Sequence, residues 1–373
     1  MSDRAKWLGL LGGGQLGRMF VMAAQSLGFR VMVLDPDADC PAGRSADRFL
    51  CGAYDDARLL AAMAERCAAV TIEFEGVPAD SLRRLSAHCR VTPSADSVAI
   101  AQDRIAEKRI LGAVVGVVPY AVIETERDIA AVAQDLFPGI LKTARMGYDG
   151  RGQSAVANHA QLLEAFRRAG SVPCVLEKRV RFVRELSVVL ARDSGGRCAI
   201  YPVAENRHVK GVLDVSIVPA QVPPRTALLA REAAVTVAQA LDYCGVMCLE
   251  LFELEDGRLL ANEMAPRPHN SGHWTLDAAA HSQFEQQVRV LAGLPLGDTR
   301  LLQPAAMVNL LGDVWAGGEP LWASALADPR LKLHLYGKRE ARPGRKMGHL
   351  TAFGSTAQAA QDRVVAARDA LLI

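Results

Sequence analysis

The chain has no CxxC pair and no Cys/His group at zinc-finger spacing; its eight cysteines are scattered at 40, 51, 67, 89, 174, 198, 244 and 248. That excludes a zinc ribbon or a disulfide framework and reads as free thiols in a reducing cytosol. An excess of charge of one sign is also missing. Lys and Arg total 43 against 41 for Asp and Glu, a net charge of +2. No global field therefore draws the chain to nucleic acid, and any anion site must be a local cluster. No uninterrupted apolar run is long enough to span a bilayer. The apolar stretch Trp7-Leu8-Gly9-Leu10-Leu11 is too short for a signal peptide. Tandem repeats and low-complexity segments are absent. The expectation is a cytoplasmic protein with neither nucleic acid nor membrane as partner.

What is present suffices for a sizeable core. Half of the 373 residues are hydrophobic and 23% are charged, the composition of a globular protein of two or three domains. Residues 7–11 read as a buried strand. A helix follows from near Gln15, with Leu16, Met19, Phe20, Ala23 and Leu27 on one face and Gly28 as its stop. Arg30 to Asp35 is the next strand, Asp55 or Asp56 caps a helix, and Val70 to Glu73 is a third strand. Strands alternating with helices imply a parallel sheet with covered faces. A linking helix is predicted over 97–112, carrying Arg104 and Lys108. Strands at 120–123 and 139–143 flank a helix starting near Thr125; then come a glycine-rich loop, a helix over 159–169 and a strand ending in Leu176-Glu177-Lys178. Hairpins are predicted over 185–203 and 246–263, separated by a long helix over about 226–243, with further short strands in the last 70 residues.

Gly12-x-Gly14-x-x-Gly17 fits the dinucleotide fingerprint, with Asp35 ending the next strand. Its physical content is narrower than a nicotinamide site. Glycines admit a close ligand and a helix N-terminus favours an anion, so any phosphorylated substrate would satisfy it.

The hairpin over 246–263 carries the sharpest signal. With Asp256-Gly257 as a two-residue turn, Glu255 faces Arg258, Leu254 faces Leu259, and Glu250 faces Glu263. Like charges directly opposite destabilise a sheet, and these two have mostly apolar neighbours. Such a pair needs a cation or a shared proton. An oxygen-only site suits Mg²⁺ with nucleotide phosphates, and Asn262 adds a neutral oxygen. Lys142 and Lys178 end two mostly apolar strands. Between them the loop Gly147 to Gln153, with glycines at 147, 150 and 152, can fold backbone N–H groups over phosphates; it lacks the GKS or GKT ending of a P-loop. Together these parts describe a nucleotide held between two small sheets.

With those residues in place the sequence resembles the 5-(carboxyamino)imidazole ribonucleotide synthase family of the ATP-grasp superfamily. The matching stretches are GGGQLGRM (12–19), IEFEGVP (72–78), GYDGRGQ (147–153), LEKRV (176–180), NEMAPRPHNSGHWT (262–275) and YGKREARPGRKMGH (336–349). The resemblance implies an α/β ATP-grasp fold: a Rossmann-like pre-ATP-grasp domain over 1–96, an ATP-grasp domain over 97–300 with a lid subdomain at about 113–184 and a larger one at about 185–300, and a small β-rich C-terminal domain over 301–373. It implies ATP and Mg²⁺ as cofactors, and carboxylation of aminoimidazole ribonucleotide with bicarbonate through carboxyphosphate, in purine biosynthesis. It also implies a homodimer that passes its product to a mutase of the same pathway.

By the same resemblance, Arg104, Lys142 and Lys178 contact ATP. The backbone of Glu177, Lys178, Arg179 and Val180 holds adenine, Glu185 the ribose, and His208 lines the nucleotide site. Gly147, Gly150, Gly152 and Gln153 form the lid loop, and Glu250, Glu263 and Asn262 hold the metal. Tyr148, Asp149, Arg151 and Lys142 are the implied catalytic set. The substrate meets Gln15, Glu73, Tyr148, Asp149, Arg151 and His273, with its 5′-phosphate on Lys338 and Arg345. Three rivals remain: another ATP-grasp carboxylate–amine ligase, an NAD-dependent oxidoreductase resting on the glycine turn, and a binding protein that keeps the fold without turnover.

Overall fold

The computed structural model describes residues 6–145 and 152–371. Its N-terminal layer is a parallel sheet of β1 (Trp7–Leu11), β2 (Arg30–Asp35), β3 (Arg48–Cys51), β4 (Ala69–Ile72) and β5 (Arg90–Val91), in the order β3-β2-β1-β4-β5. The first two strands are nearly continuous apolar runs, as strands covered on both faces must be. The strand order reverses beside β1 and β4, so the loops leaving their carboxyl ends diverge and open the crevice where such sheets take ligands. Helix Gln15–Ser26 follows β1, with Leu16, Met19 and Phe20 buried as its periodicity predicts.

A four-stranded antiparallel sheet comes next: β6 (Tyr120–Ile123), β7 (Gly139–Thr143), β8 (Gln153–Val156) and β9 (Cys174–Lys178), in the order β6-β9-β7-β8. Helices Glu126–Ala130 and His159–Arg168 contribute to its core of Ile123, Ile129, Leu141, Leu162, Phe166 and Leu176. The loop between β7 and β8 contains Gly147, Tyr148, Asp149, Gly150 and Arg151, which lie outside the described residues.

The third layer is a nine-stranded sheet of β10 (Arg184–Arg192), β11 (Cys198–Ile200), β12 (Ala204–Val209), β13 (Val212–Val218), β14 (Gly245–Glu253), β15 (Leu259–Ala265), β16 (Ala305–Leu311), β17 (Leu331–Leu335) and β18 (Lys346–Phe353). Its order is β15-β14-β10-β12-β13-β16-β18-β17, with β11 beside β10. The C-terminal strands therefore do not form a separate sheet, because β16 pairs antiparallel with β13. Helix Pro224–Ala240 packs Ala230, Ala234 and Val237 against Leu186, Val188 and Leu249. Helix Gln283–Ala292 joins the layers: its Val288 and Leu291 enter the core of the parallel sheet, and the Gln287 amide donates to Thr71 Oγ1 (3.1 Å) and to the Ile72 carbonyl (3.0 Å).

Two elements depart from expectation. The linking helix is two helices, Ala95–Ala101 and Arg104–Val114. Asp103 separates them, because its carboxylate accepts from the N–H of Ile105 (3.0 Å) and Ala106 (3.3 Å) and starts the second helix. The β12–β13 hairpin is an element that the sequence pattern does not announce. Its strands mix polar and apolar residues, Asn206, His208 and Asp214 among them, and it contains a bulge between Arg207 and His208.

Candidate active site

Glu250 and Glu263 lie directly opposite each other on β14 and β15. The reason differs from the one the turn suggested. Glu253 pairs with Leu259 and Leu251 with Ala261, one residue out of the predicted register. The turn is longer than two residues: Leu254 N–H donates to the Arg258 carbonyl (2.9 Å), and Gly257 sits at φ +78°. A bulge just beyond Leu251 leaves Asn262 as the extra residue and restores the Glu250–Glu263 pairing. Without it Glu263 would face the other side of the sheet, since one residue of slip reverses every side chain.

The pair is electrostatically split. Burial, reinforced by the facing Glu263 charge, pushes the Glu250 carboxyl well above the usual carboxylate range. Burial would raise Glu263 too, but the charges of Arg104 and Lys142 outweigh it and hold this carboxylate well below that range. Arg104 Nη1 lies 3.1 Å from Glu263 Oε2. The side-chain oxygen of Asn262 is shielded from solvent and has no hydrogen-bond partner. Two opposed carboxylates and an unpartnered amide oxygen fit a hard divalent cation such as Mg²⁺.

Beneath this pair lies a buried cation–anion–cation run. Glu177 Oε2 is 2.7 Å from Lys142 Nζ, and Glu177 Oε1 is 3.1 Å from Lys108 Nζ. Lys108, without solvent exposure, also donates to the Asn262 carbonyl at 2.6 Å, fixing the bulge. Burial lowers the Lys108 pKa, partly offset by Glu177; the two lysines keep Glu177 low against its own burial. Glu107 accepts from Met264 N–H (2.6 Å), and burial followed by the Glu263 charge pushes it up to about 7. Sequence reasoning placed Lys108 on the linking helix but gave neither it nor Glu107 a role. The signal was there, since Arg104, Glu107 and Lys108 fall at i, i+3 and i+4 on one helix face.

Around the rim, Glu185 Oε2 meets His208 Nδ1 at 2.6 Å across β10 and β12. Burial disfavours the imidazolium, but the Glu185 bond and charge outweigh it and raise the His208 pKa. At the end of β9, Lys178 N–H donates to the Pro119 carbonyl (2.8 Å) and Arg179 N–H to that of Pro138 (2.9 Å). Those two donors are thus committed to the protein. Gly152 sits at φ +69° where the glycine-rich loop re-enters β8, and Gln153 pairs with Lys142. His269 Nε2 lies 3.4 Å from Glu250 Oε1. Burial and Arg267 bring its pKa down to about 3, so the ring is neutral. Arg267 itself makes a two-point pair with Glu75, at 2.5 and 3.2 Å.

The glycine turn is already occupied from within. Glu73 accepts from Gly14 N–H (2.6 Å) and Gly17 N–H (2.8 Å), and Asp35 accepts from Gly13 N–H (2.6 Å) and Tyr54 O–H (2.6 Å). A dinucleotide pyrophosphate would meet two carboxylates where it needs donors. Gln15 opens the helix beside Glu73, at the crevice between β1 and β4.

The C-terminal segment closes over this crevice. Arg18 Nη1 donates to the Tyr336 carbonyl (3.0 Å), Arg44 donates to that of Gly337, and Arg339 pairs with Asp39 (2.8 Å). Pro343-Gly344 does form a turn, closed by Arg345 N–H on the Arg342 carbonyl (3.0 Å), with Gly344 at φ +73°. Lys338 Nζ donates to the carbonyl of Lys346, next to Arg345, while the Arg345 guanidinium reaches the Glu340 carbonyl (3.2 Å). His273, expected among the substrate contacts, has no solvent exposure and packs between Phe284, Tyr336 and His349.

Comparison with known proteins agrees with this geometry along the chain. Family models match as a ribonucleotide synthetase preATP-grasp domain (residues 5–102), an ATP-grasp domain (110–284) and a phosphoribosylaminoimidazole carboxylase C-terminal domain (305–363). The N5-carboxyaminoimidazole ribonucleotide synthase of Brucella melitensis is 45% identical over 348 residues, covering 92% of this chain and 95% of that one. The solved ADP complex of an N5-carboxyaminoimidazole ribonucleotide synthetase superposes with a TM-score of 0.92 at 36% identity, covering 98% of both chains. The Aspergillus clavatus synthase in complex with ADP and 5-aminoimidazole ribonucleotide superposes with a TM-score of 0.89 at 30% identity, covering 99% of both chains. The chain belongs to the N5-carboxyaminoimidazole ribonucleotide synthase family of ATP-dependent ATP-grasp ligases.

Proposed function

We propose that this protein uses ATP and bicarbonate to carboxylate the amine of 5-aminoimidazole ribonucleotide, forming N5-carboxyaminoimidazole ribonucleotide, ADP and phosphate in purine biosynthesis. The observation that carries the reading is the bulge that sets Glu263 against Glu250 within reach of Arg104. Glu250, Glu263 and Asn262 would hold Mg²⁺, which when bound neutralises phosphate charge during phosphoryl transfer. Arg104 and Lys142 stabilise the transferring phosphate oxygens, and Lys178 contributes at the nucleotide. Glu185 holds the ribose, and His208 lines the nucleotide site beside it. Lys142 is tied to Glu177 in the ligand-free chain. Binding of a triphosphate would give the ammonium a second anionic partner, with Lys108 retaining Glu177.

Bicarbonate attacks the γ-phosphorus and becomes carboxyphosphate, releasing ADP. The substrate amine then attacks its carbonyl carbon, phosphate leaves, and the amine loses a proton. Gln15 and Glu73 at the β1–β4 crevice, with Tyr148, Asp149 and Arg151 of the glycine-rich loop, are assigned to the aminoimidazole ribonucleotide. Lys338 and Arg345 are assigned to its 5′-phosphate, where Arg binds two oxygens and Lys acts as a point charge. The glycine-rich loop 147–153 serves as a lid that keeps water from the activated acyl group. A homodimer working in the cytoplasm and handing its product to a mutase completes the proposal. Among the described residues no helix is long and apolar enough to cross a membrane.

ADP release, measured with substrate and bicarbonate each omitted in turn, tests the assignment. Full release should require both. Release that is indifferent to bicarbonate would point to another ATP-grasp ligase.

A further inference from the structure

A second group of side chains of metal-ligating type, besides the Glu250–Glu263 pair, is formed by Asp277, His334 and His349. His334 on β17 and His349 on β18 are cross-strand partners, and their rings stack at 4.6 Å with 17° between planes. Asp277, on the short helix Thr275–Ala278, places Oδ2 2.8 Å from His334 Nε2. One ligand atom from each of the three lies within 4.8 Å of the others. His349 has no solvent exposure, and its Nε2 is buried without a hydrogen-bond partner. Its Nδ1 is held 2.9 Å from Tyr336 Oη. An imidazole steadied through one nitrogen, with the other buried and unpartnered beside a carboxylate and a second imidazole, is the arrangement of a metal-ligating histidine.

We propose that Asp277, His334 and His349 bind a transition-metal ion of the Zn²⁺ class. Two imidazoles and one carboxylate select zinc or its neighbours over Mg²⁺, which prefers oxygen donors and keeps its waters. A tetrahedral zinc with bonds of ~2.0–2.1 Å sets its ligand atoms about 3.3 Å apart, so small side-chain rotations close the site. Three protein ligands leave one position for water. The ion would tie the β17–β18 hairpin to helix Thr275–Ala278. That hairpin carries Lys338 and Arg345 in its loop, so metal here would brace the support of the pocket assigned to substrate phosphate.

Cobalt provides the test, because tetrahedral Co²⁺ with nitrogen ligands absorbs in the visible. EDTA-treated protein should develop d–d bands that saturate at one equivalent of Co²⁺. Zn²⁺ should bleach them one for one, and millimolar Mg²⁺ should leave them. His334→Ala and Asp277→Asn should lose the bands, and Glu250→Gln should keep them. Zn²⁺ should also raise the Tm of the wild type but not of His334→Ala. Absent bands at one equivalent in the wild type would overturn the proposal, whatever the variants do. So would bands that survive His334→Ala, or a thiolate-to-cobalt charge-transfer band in the near ultraviolet, which would place the ion on cysteine.

Discussion

At the scale of single residues, Glu250 and Glu263 show how one sheet position makes two carboxylates unequal. The folded chain holds the Glu250 proton more tightly than the unfolded chain does. Its contribution is therefore intact below the ordinary carboxylate pKa and is lost as pH rises toward the raised folded value. Without metal, Glu250→Gln should match the wild type in Tm near pH 5 and exceed it by a few degrees near pH 8. A Tm difference independent of pH would show that the carboxyl is not strained. Glu263→Gln tests the partner: it should fold normally and lower kcat by about 10²-fold or more, through loss of charge stabilisation worth ~2.7 kcal/mol or more. Near-normal turnover would remove Glu263 from the site. The type and spacing of these two residues were legible in the sequence, because opposed carboxylates among apolar neighbours demand an explanation. Glu107 and Lys108 were not given a role, because their function depends on which helix face meets β15. Periodicity gives the face but not what it meets.

The hairpin of β14 and β15 makes the same point at the scale of elements. Its strands and their ends were readable from alternation and from Asp256-Gly257. Its register was reached through a turn one residue too short, and a bulge of one residue cancelled the difference. Bulges are set by the surroundings, here Lys108 reaching the Asn262 carbonyl, so local sequence does not announce them. The split of the linking helix was legible in principle, since Asp103 is a strong N-cap residue two positions before Ile105. Asp103→Ala should cost about 1 kcal/mol in urea unfolding. It should also raise KM for ATP several-fold while leaving KM for aminoimidazole ribonucleotide unchanged, because Arg104 is the first residue that Asp103 orders. Lost stability with no change in KM for ATP would separate the cap from the placement of Arg104.

The whole molecule divides its recognition between distant parts of the chain. The residues proposed for the nucleotide come from the two antiparallel sheets and from helix Arg104–Val114, whereas the crevice proposed for the substrate joins the parallel sheet to a loop some 300 residues later. Because Glu73 and Asp35 occupy the glycine turn, NAD should leave Tm unchanged, while Mg²⁺ with ATP at 100 times Kd should add about 2.7 kcal/mol. Clear stabilisation by micromolar NAD would reopen the oxidoreductase reading. Arg345→Ala should lower kcat/KM for aminoimidazole ribonucleotide at least tenfold, the loss of a charge-assisted contact of ~1.5–3 kcal/mol, with KM for ATP nearly unchanged. If the nucleoside lacking its phosphate were affected equally, Arg345 would not be reading that phosphate.

The pairing of β13 with β16 also governs what can be cut away. A chain ending near Gln303 would strip β16 from seven-residue β13, whose Val215, Ile217 and Val218 are buried in the intact sheet. That would expose a long apolar edge with unpaired amides, a template for strand-to-strand association. The last seventy residues therefore act as a solubility seal for the nucleotide-binding half, and shortened versions should precipitate as β-rich aggregates instead of persisting as a smaller ATPase.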